Sequence, residues 1–274
     1  CDITAYNAQG EPALEIREFL VKQTHRQTLY REIRPDDQGL LYCPEWKGMD
    51  AAALGLTSTE VHAPATCLAF VTPDRWGAAL AAQMRRVNIE CLEVVPGEGT
   101  AQIGPGRFTV NPRNAENVSR FLAQQLAAAK TKSVHVVFAW NASIVPAPQT
   151  TERSETPEQF LCASLLHIVQ AMSQSAGQPA LKLWVVTRHA QSVVREDLPV
   201  EMGSAALWGF GRAIATEYPA LWGGLVDLDR KAAEADLAII PSILCSVVPE
   251  NQIALRRGGR IFASRLTRLS TRTS

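Results

Sequence analysis

From Thr66 onward, short apolar runs and amphipathic stretches alternate every ~25–30 residues, a rhythm that argues for βαβ units with parallel strands and right-handed crossovers. Residues 67–71 are continuously apolar, as expected of a strand covered on both faces. Leu80, Met84 and Val87 then recur at helical spacing. Residues 89–95 predict the next strand, broken at Gly97-Glu98-Gly99, and 107–110 a short one. Val118, Phe121, Leu122, Leu126 and Ala129 form a helical stripe, and 134–139 is a β-branched run. Leu161, Leu165, Ile168, Val169 and Met172 mark the most regular helix, with Glu155 and Glu158 near its start, where negative charge suits the helix dipole. A strand at 181–187, a helix carrying Leu207, Phe210, Ile214 and Tyr218, and a strand at 225–228 follow. A last helix over about 230–248 is expected to kink or split at Pro241. Residues 252–255 and 260–266, joined at Gly258-Gly259, predict a closing hairpin. The expected fold is α/β: a truncated, Rossmann-like, doubly wound parallel sheet over about 65–268.

Upstream the pattern is looser. Residues 1–6 and 13–20, separated by Asn7-Ala8-Gln9-Gly10, read as a hairpin with Leu14 and Ile16 alternating against Glu15 and Arg17. Residues 22–38 are polar and close on Pro35-Asp36-Asp37, which predicts a linker, and 40–46 is a further strand. The chain opens on Cys1 with no methionine before Met49, so it is expected to be a segment of something longer. Its 274 residues carry 27 basic and 27 acidic side chains, leaving no excess charge to steer nucleic acid. The one local asymmetry, six arginines and no acid from Arg256 to Arg272, reads as a solvated terminal strand and linker. No run approaches the ~18–20 apolar residues of a membrane span. The cysteines, at 1, 43, 67, 91, 162 and 245, form no C-x-x-C pair, which fits a reduced, cytoplasmic protein.

A doubly wound fold invites a search for dinucleotide chemistry. The first strand–helix turn should read G-x-G-x-x-G, so that the backbone can approach a pyrophosphate at the helix N-terminus. Here it reads Phe70-Val71-Thr72-Pro73-Asp74-Arg75-Trp76-Gly77, with one glycine, a proline lacking a donor, and two bulky side chains. Gly99 and Gly104 have P-loop spacing, but Pro105 and Gly106 replace the lysine and hydroxyl residue that hold phosphates. Gly104-Pro105-Gly106 and Gly209-Phe210-Gly211 lack a third glycine at Thr109 and Ile214. No serine sits in G-x-S-x-G, and no H-E-x-x-H or paired Cys/His spacing offers a metal site. Tyr6, Tyr30, Tyr42 and Tyr218 have no lysine four residues on, so the tyrosine–lysine pair of short-chain reductases is missing. His25, His62, His135, His167 and His189 are scattered and read as packing or surface residues. The residues predict no catalytic, cofactor-binding or metal-ligating set.

Several motifs nonetheless occur in order. They are Trp184-Val185-Val186-Thr187-Arg188-His189-Ala190-Gln191, then Ala205-Ala206-Leu207-Trp208-Gly209-Phe210-Gly211-Arg212, then Glu217-Tyr218-Pro219 and Trp222-Gly223-Gly224-Leu225-Val226-Asp227-Leu228-Asp229. With Pro96-Gly97-Glu98-Gly99, the 40–46 strand and Asn251-Gln252-Ile253-Ala254-Leu255-Arg256, this stretch resembles the structural subdomain of a modular type I polyketide synthase ketoreductase over about 40–268. Residues 1–21 resemble, more weakly, the closing hairpin of a dehydratase double hot-dog domain, and 22–39 would be a linker to a subdomain at 40–274. In that family a truncated, catalytically empty Rossmann-like half braces a second half that holds NADPH and the Ser/Tyr/Lys/Asn active residues. The resemblance therefore implies a chain that is no enzyme by itself and binds no cofactor, within a multidomain synthase of the acyltransferase class. NADPH would belong to the downstream half. Implied partners are the catalytic ketoreductase subdomain, the dehydratase, an enoylreductase where one is inserted and, indirectly, an acyl carrier protein, with no nucleic acid and no membrane. Trp208, Gly209, Gly211 and Arg212 would be packing residues on the helix after the 181–187 strand, and Trp222 would begin the next strand. His189 departs from the family, whose members usually carry a small residue there, commonly glycine, so the local loop geometry stays open. Two other readings stand beside this one: an independent, divergent NAD(P)-dependent short-chain reductase, and an inactive ketoreductase remnant that organises its neighbours.

Overall fold

Apolar strands that alternate with one-sided helices can hide every apolar face only by forming a sheet with helices on both sides. The structure, a computed structural model, describes residues 3–7, 12–16, 42–52, 54, 56, 65–131, 133–141, 155–175, 180–197, 200–232, 234–245 and 250–268. The chain divides into one unit of Cys1–Pro44 with Leu266–Ser274 and another of Glu45–Arg265. In the first, β1 (Ile3–Tyr6) pairs antiparallel with β2 (Pro12–Ile16), Ile3 opposite Ile16. The expected linker at 22–38 lies outside the described residues.

In the second unit the parallel strands are β4 (Ala65–Val71), β5 (Glu90–Pro96), β7 (Arg107–Val110), β8 (Ser133–Ala139), β9 (Ala180–Arg188), β10 (Trp222–Leu228) and β11 (Gln252–Arg256). They belong to a sheet of order β3-β12-β11-β10-β9-β8-β4-β5-β7-β6, where β3 is Tyr42–Met49, β6 is Ala101–Gly104 and β12 is Arg260–Arg268. Numbered from β4, the run from β7 to β10 has the Rossmann order 3-2-1-4-5-6, with its switch point between β4 and β8. Both outer additions are antiparallel: β12 returns along β11, and β6 returns along β7.

Helices α1 (Arg75–Arg86), α5 (Glu234–Leu237) and α6 (Ile240–Cys245) cover one face, and α2 (Ala115–Ala128), α3 (Pro157–Gln174) and α4 (Met202–Glu217) the other. The two-residue period of each strand feeds both layers. Leu68 and Phe70 pack with Phe121, Leu165 and Trp208, while Cys67, Ala69 and Val71 pack with Leu80, Met84 and Ile243. Local chemistry sets the helix starts. Asp74 and Asn114 cap α1 and α2, and Thr156 with Gln159 forms a capping box ahead of Pro157 in α3.

The last helix is split as expected, into two short ones, with Pro241 in the first turn of α6, where its missing N–H breaks no helical bond. Two expectations need correction. The glycine-rich stretch after β5 contains an unforeseen strand, β6, that pairs antiparallel with β7 on the side away from β5, at the edge of the sheet. Arg256 is not solvated: it is 1% exposed.

Candidate functional site

In a doubly wound sheet, ligands bind outside the carboxyl ends of the strands at the switch point. A cleft of about 370 Å³ opens there, lined by Asp74 after β4, Asn141 after β8, Arg188 and His189 at the end of β9, Glu201 before α4 and Arg230 after β10. Its most telling feature is the β4–α1 turn. Asp74 Oδ1 accepts the Gly77 N–H at 2.8 Å and the Thr72 hydroxyl at 2.9 Å, so a carboxylate stands at the N-terminus of α1. A pyrophosphate needs that same place, and two anions cannot share it without strong repulsion. Gly77 packs the helix start tightly on the strand end, since a β-carbon there would lie 2.2 Å from the Thr72 carbonyl oxygen. Behind the turn, Trp140 donates to the Val71 carbonyl at 3.1 Å and packs edge-on against Phe70 and Phe138. The residues at this turn do not fit a dinucleotide.

Beneath the Arg188–His189 side, motif residues that carry the family resemblance form a buried network. Asp227, fully buried in β10, accepts the Thr187 hydroxyl at 2.7 Å, the Ala190 N–H at 2.8 Å and the Arg256 guanidinium at 2.9 Å. Thr187 Oγ1 in turn accepts the Trp208 indole N–H at 2.9 Å. Arg256 also reaches Asp197 at 3.1 Å and the Gln191 carbonyl at 2.8 Å, while Asp197 accepts the Val193 and Val194 N–H groups. Burial pushes the Asp227 carboxyl up, opposed by Arg256 and by the Ala190 and Thr187 donors. Burial acts the same way on Asp197, but its two backbone donors and Arg256 win and hold it below the usual carboxylate range. The network ties β9, β10, β11, α4 and the loop from 189 to 197 together.

Trp208 is buried on α4, T-shaped against Trp46 of β3 at 5.6 Å between centroids. Gly211 faces the sheet, where a β-carbon would lie 2.8 Å from Leu225 Cδ2 and 3.0 Å from Trp222 Cη2. Trp222 opens β10 and is 8% exposed. Arg212 is exposed; its guanidinium lies 5.8 Å from the Trp208 ring and donates to Gln252 Oε1 at 3.1 Å. Gly209 stands apart from the packing expected of it, because a β-carbon there would meet nothing within 4 Å. His189 holds a φ of 57°, the left-handed region that suits glycine.

The reactive side chains elsewhere are poorly placed for chemistry. Cys245 Sγ lies 3.9 Å from His135 Nε2, but burial pushes the thiol up to about 11 and, with help from Lys182, the imidazole down to about 4. A nucleophilic Cys–His pair needs the opposite shifts. His167 is fixed by the Pro112 carbonyl at 3.0 Å. Among the described residues, no group of three or more His, Cys, Asp or Glu could hold a metal ion, and no helix is long and apolar enough to cross a membrane.

Sequence reasoning missed Asp227, Arg256, Asp197 and Thr187 as a unit. The available signal was an aspartate inside the apolar run Leu225-Val226-Asp227-Leu228, since a carboxylate so placed demands a buried partner.

Residues 44–266 match the family described as "Polyketide synthase extender module SpnB, Rossmann fold domain". The chain is 34% identical to pikromycin polyketide synthase component PikAII of Streptomyces venezuelae over 189 residues, 67% of this chain and 5% of that protein. It is 43% identical to component PikAIII of the same organism over 100 residues, 36% of this chain and 6% of that one. A C2-type ketoreductase from a modular polyketide synthase superposes with a TM-score of 0.62 at 26% identity, covering 85% of this chain and 45% of that chain. The first ketoreductase of the tylosin synthase shares the fold, with a TM-score of 0.62 at 23% identity over 86% of this chain and 42% of that one. The chain thus spans less than half of these ketoreductases and a small fraction of the synthases. It belongs to the Rossmann-fold domain family of polyketide synthase extender modules and is a ketoreductase-related domain of polyketide biosynthesis.

Proposed function

We propose that this chain is a non-catalytic structural subdomain, bracing the half of a ketoreductase that binds NADPH and reduces a β-ketoacyl chain tethered to a carrier protein. The observation that carries this reading is the Asp74 carboxylate at the N-terminus of α1, where a cofactor phosphate would have to lie. The share of the C2-type ketoreductase covered, 45%, supports it by leaving room for a second half in a whole ketoreductase. Residues 40–274 would form the subdomain, 1–21 the end of a preceding dehydratase and 22–39 the linker between them. Trp208, Gly211 and Trp222 then serve packing, and Arg212 covers the Trp208 ring. The partners are neighbouring domains of the same cytoplasmic synthase: the catalytic ketoreductase half, the dehydratase, an enoylreductase where present and, indirectly, the carrier protein.

The test is an NADPH titration of the chain by calorimetry, repeated after adding the downstream ketoreductase half in trans. No binding by the chain alone, with reductase activity recovered or stabilised on mixing, is the expected result. Saturable micromolar binding by the chain alone would overturn the reading and favour an independent reductase.

A further inference from the structure

The arginine run near the end of the sequence is only partly used by the core. Arg256 turns inward, but Arg257 and Arg260, flanking the β11–β12 turn, stay exposed. With Arg230 and Lys231 from the turn after β10 they line a second cleft, of about 240 Å³. Among the described residues none of these four cations forms an ion pair. Three acids share the walls: Glu196, Asp197 and Asp229. Arg256 is shared between Asp197 and Asp227, so the four cations face three carboxylates, of which Asp197 already accepts from Arg256 and Asp229 from the Lys231 backbone N–H at 2.8 Å.

His189 supplies the second observation. The residue lines this cleft as well as the one at the switch point, it is 5% exposed, and its buried Nε2 has no hydrogen-bond partner among the described residues. The same residue holds the left-handed backbone noted above. Strain and an unmatched buried nitrogen on one residue are costs that a ligand can offset. The surrounding backbone is already fixed. The His189 N–H donates to the Leu228 carbonyl at 2.8 Å, Arg188 holds the Arg230 carbonyl at 2.7 Å, and the Asp229 N–H donates to the Leu255 carbonyl at 3.0 Å. The cations therefore stand on turns that need no ordering before a ligand arrives.

We propose that this cleft is an oxyanion site for a phosphoryl group, with Arg230, Lys231, Arg257 and Arg260 supplying charge and His189 Nε2–H a hydrogen bond. Guanidinium groups suit such a ligand because they offer paired donors to two of its oxygens. The site is distinct from the dinucleotide position, which lies on Asp74 at α1, and it does not depend on the scaffold role. The chemistry is shared by free phosphate and by phosphate monoesters.

The test is calorimetric titration of the chain with inorganic phosphate, and separately with adenosine monophosphate, at constant ionic strength set by chloride. Saturable binding is expected, weakened by about tenfold in Arg257→Glu/Arg260→Glu and unchanged in Arg120→Glu on α2. Matching affinities for the two probes mark a site for the phosphoryl group alone, and tighter binding of the monophosphate marks a nucleotide source. His189→Gly gives a second route: it relieves the backbone, so the fold should hold, and it removes the ring donor, so phosphate should bind more weakly. The proposal is overturned if neither probe saturates, or if the double variant and His189→Gly bind as the parent does.

Discussion

Two carboxylates stand near the carboxyl edge of the sheet, and they do opposite work. Asp74 is exposed, and its partners Thr72 and Gly77 lie two and three residues away in sequence. Asp227 is fully buried, and its partners Thr187, Ala190 and Arg256 come from segments 40, 37 and 29 residues away. One shapes a turn; the other joins β9, β11 and the loop between β9 and α4 to β10. The same functional group thus caps a helix at one place and holds the sheet end together at another. Burial and the sequence distance of the donors decide which.

The largest test of that contrast is removal of Arg256. Arg256→Ala leaves Asp227 and Asp197 buried without their cation, and breaking a buried pair from one side costs about 3–5 kcal/mol. Asp74→Ala removes only a helix cap, for about 1 kcal/mol. Urea denaturation of both variants checks the order. A loss for Arg256→Ala no greater than for Asp74→Ala would mean that the long-range network does not hold this end of the sheet.

The same contrast explains what was legible in the sequence. Strands β4, β8, β9 and β10 and helices α2, α3 and α4 announced themselves through periodicity, because each is fixed by which of its faces is apolar. The β4–α1 turn could be read as unfit for a dinucleotide because its chemistry is local. Arg256 could not be placed, since a run of arginines carries no mark of which one meets an aspartate 29 residues earlier. Strand β6 was hidden for a related reason. Its stretch Ala101-Gln102-Ile103-Gly104 has no apolar face, being exposed at three positions, and it becomes a strand by pairing with β7. His189 was flagged only as a departure from the family. The structure turns that departure into left-handed backbone beside a cleft.

Acid separates the interior of the sheet from its edge. On β8, His135 is flanked by Cys67 on β4 and Lys182 on β9, and burial followed by the Lys182 charge lowers its pKa from 6.5 to about 4. The unfolded chain takes up this proton as pH falls through 6.5, whereas the folded chain does so only near 4. Stability contributed by neutral His135 is therefore fully present above pH 6.5 and is lost as pH falls from 6.5 to about 4, by about 3 kcal/mol. Asp197, held below the usual carboxylate range, contributes stability that disappears only at still lower pH. Denaturant midpoints at pH 4, 5, 6 and 7 (~1-unit steps across the window) should fall steadily with acid. His135→Gln should flatten that slope. An unchanged slope in the variant would move the titration to another group.

The smallest effect divides two glycines of one helix turn. Gly209 sits in the interior of α4 with open space where a β-carbon would go, so it contributes only backbone entropy to the unfolded state. Gly209→Ala should stabilise the chain by about 0.5–1 kcal/mol, the ordinary gain of alanine over glycine in a helix. Gly211→Ala makes the same gain in propensity, but its methyl group meets Leu225 at 2.8 Å and Trp222 at 3.0 Å, both in β10. Forcing a methyl into a packed contact costs about 1–3 kcal/mol, which exceeds the helical gain, so this variant should melt lower than the parent. Thermal melts of the two variants check both signs. If both rise, α4 can move away from β10, and the close approach at Gly211 is a preference of the sequence and not a requirement of the fold.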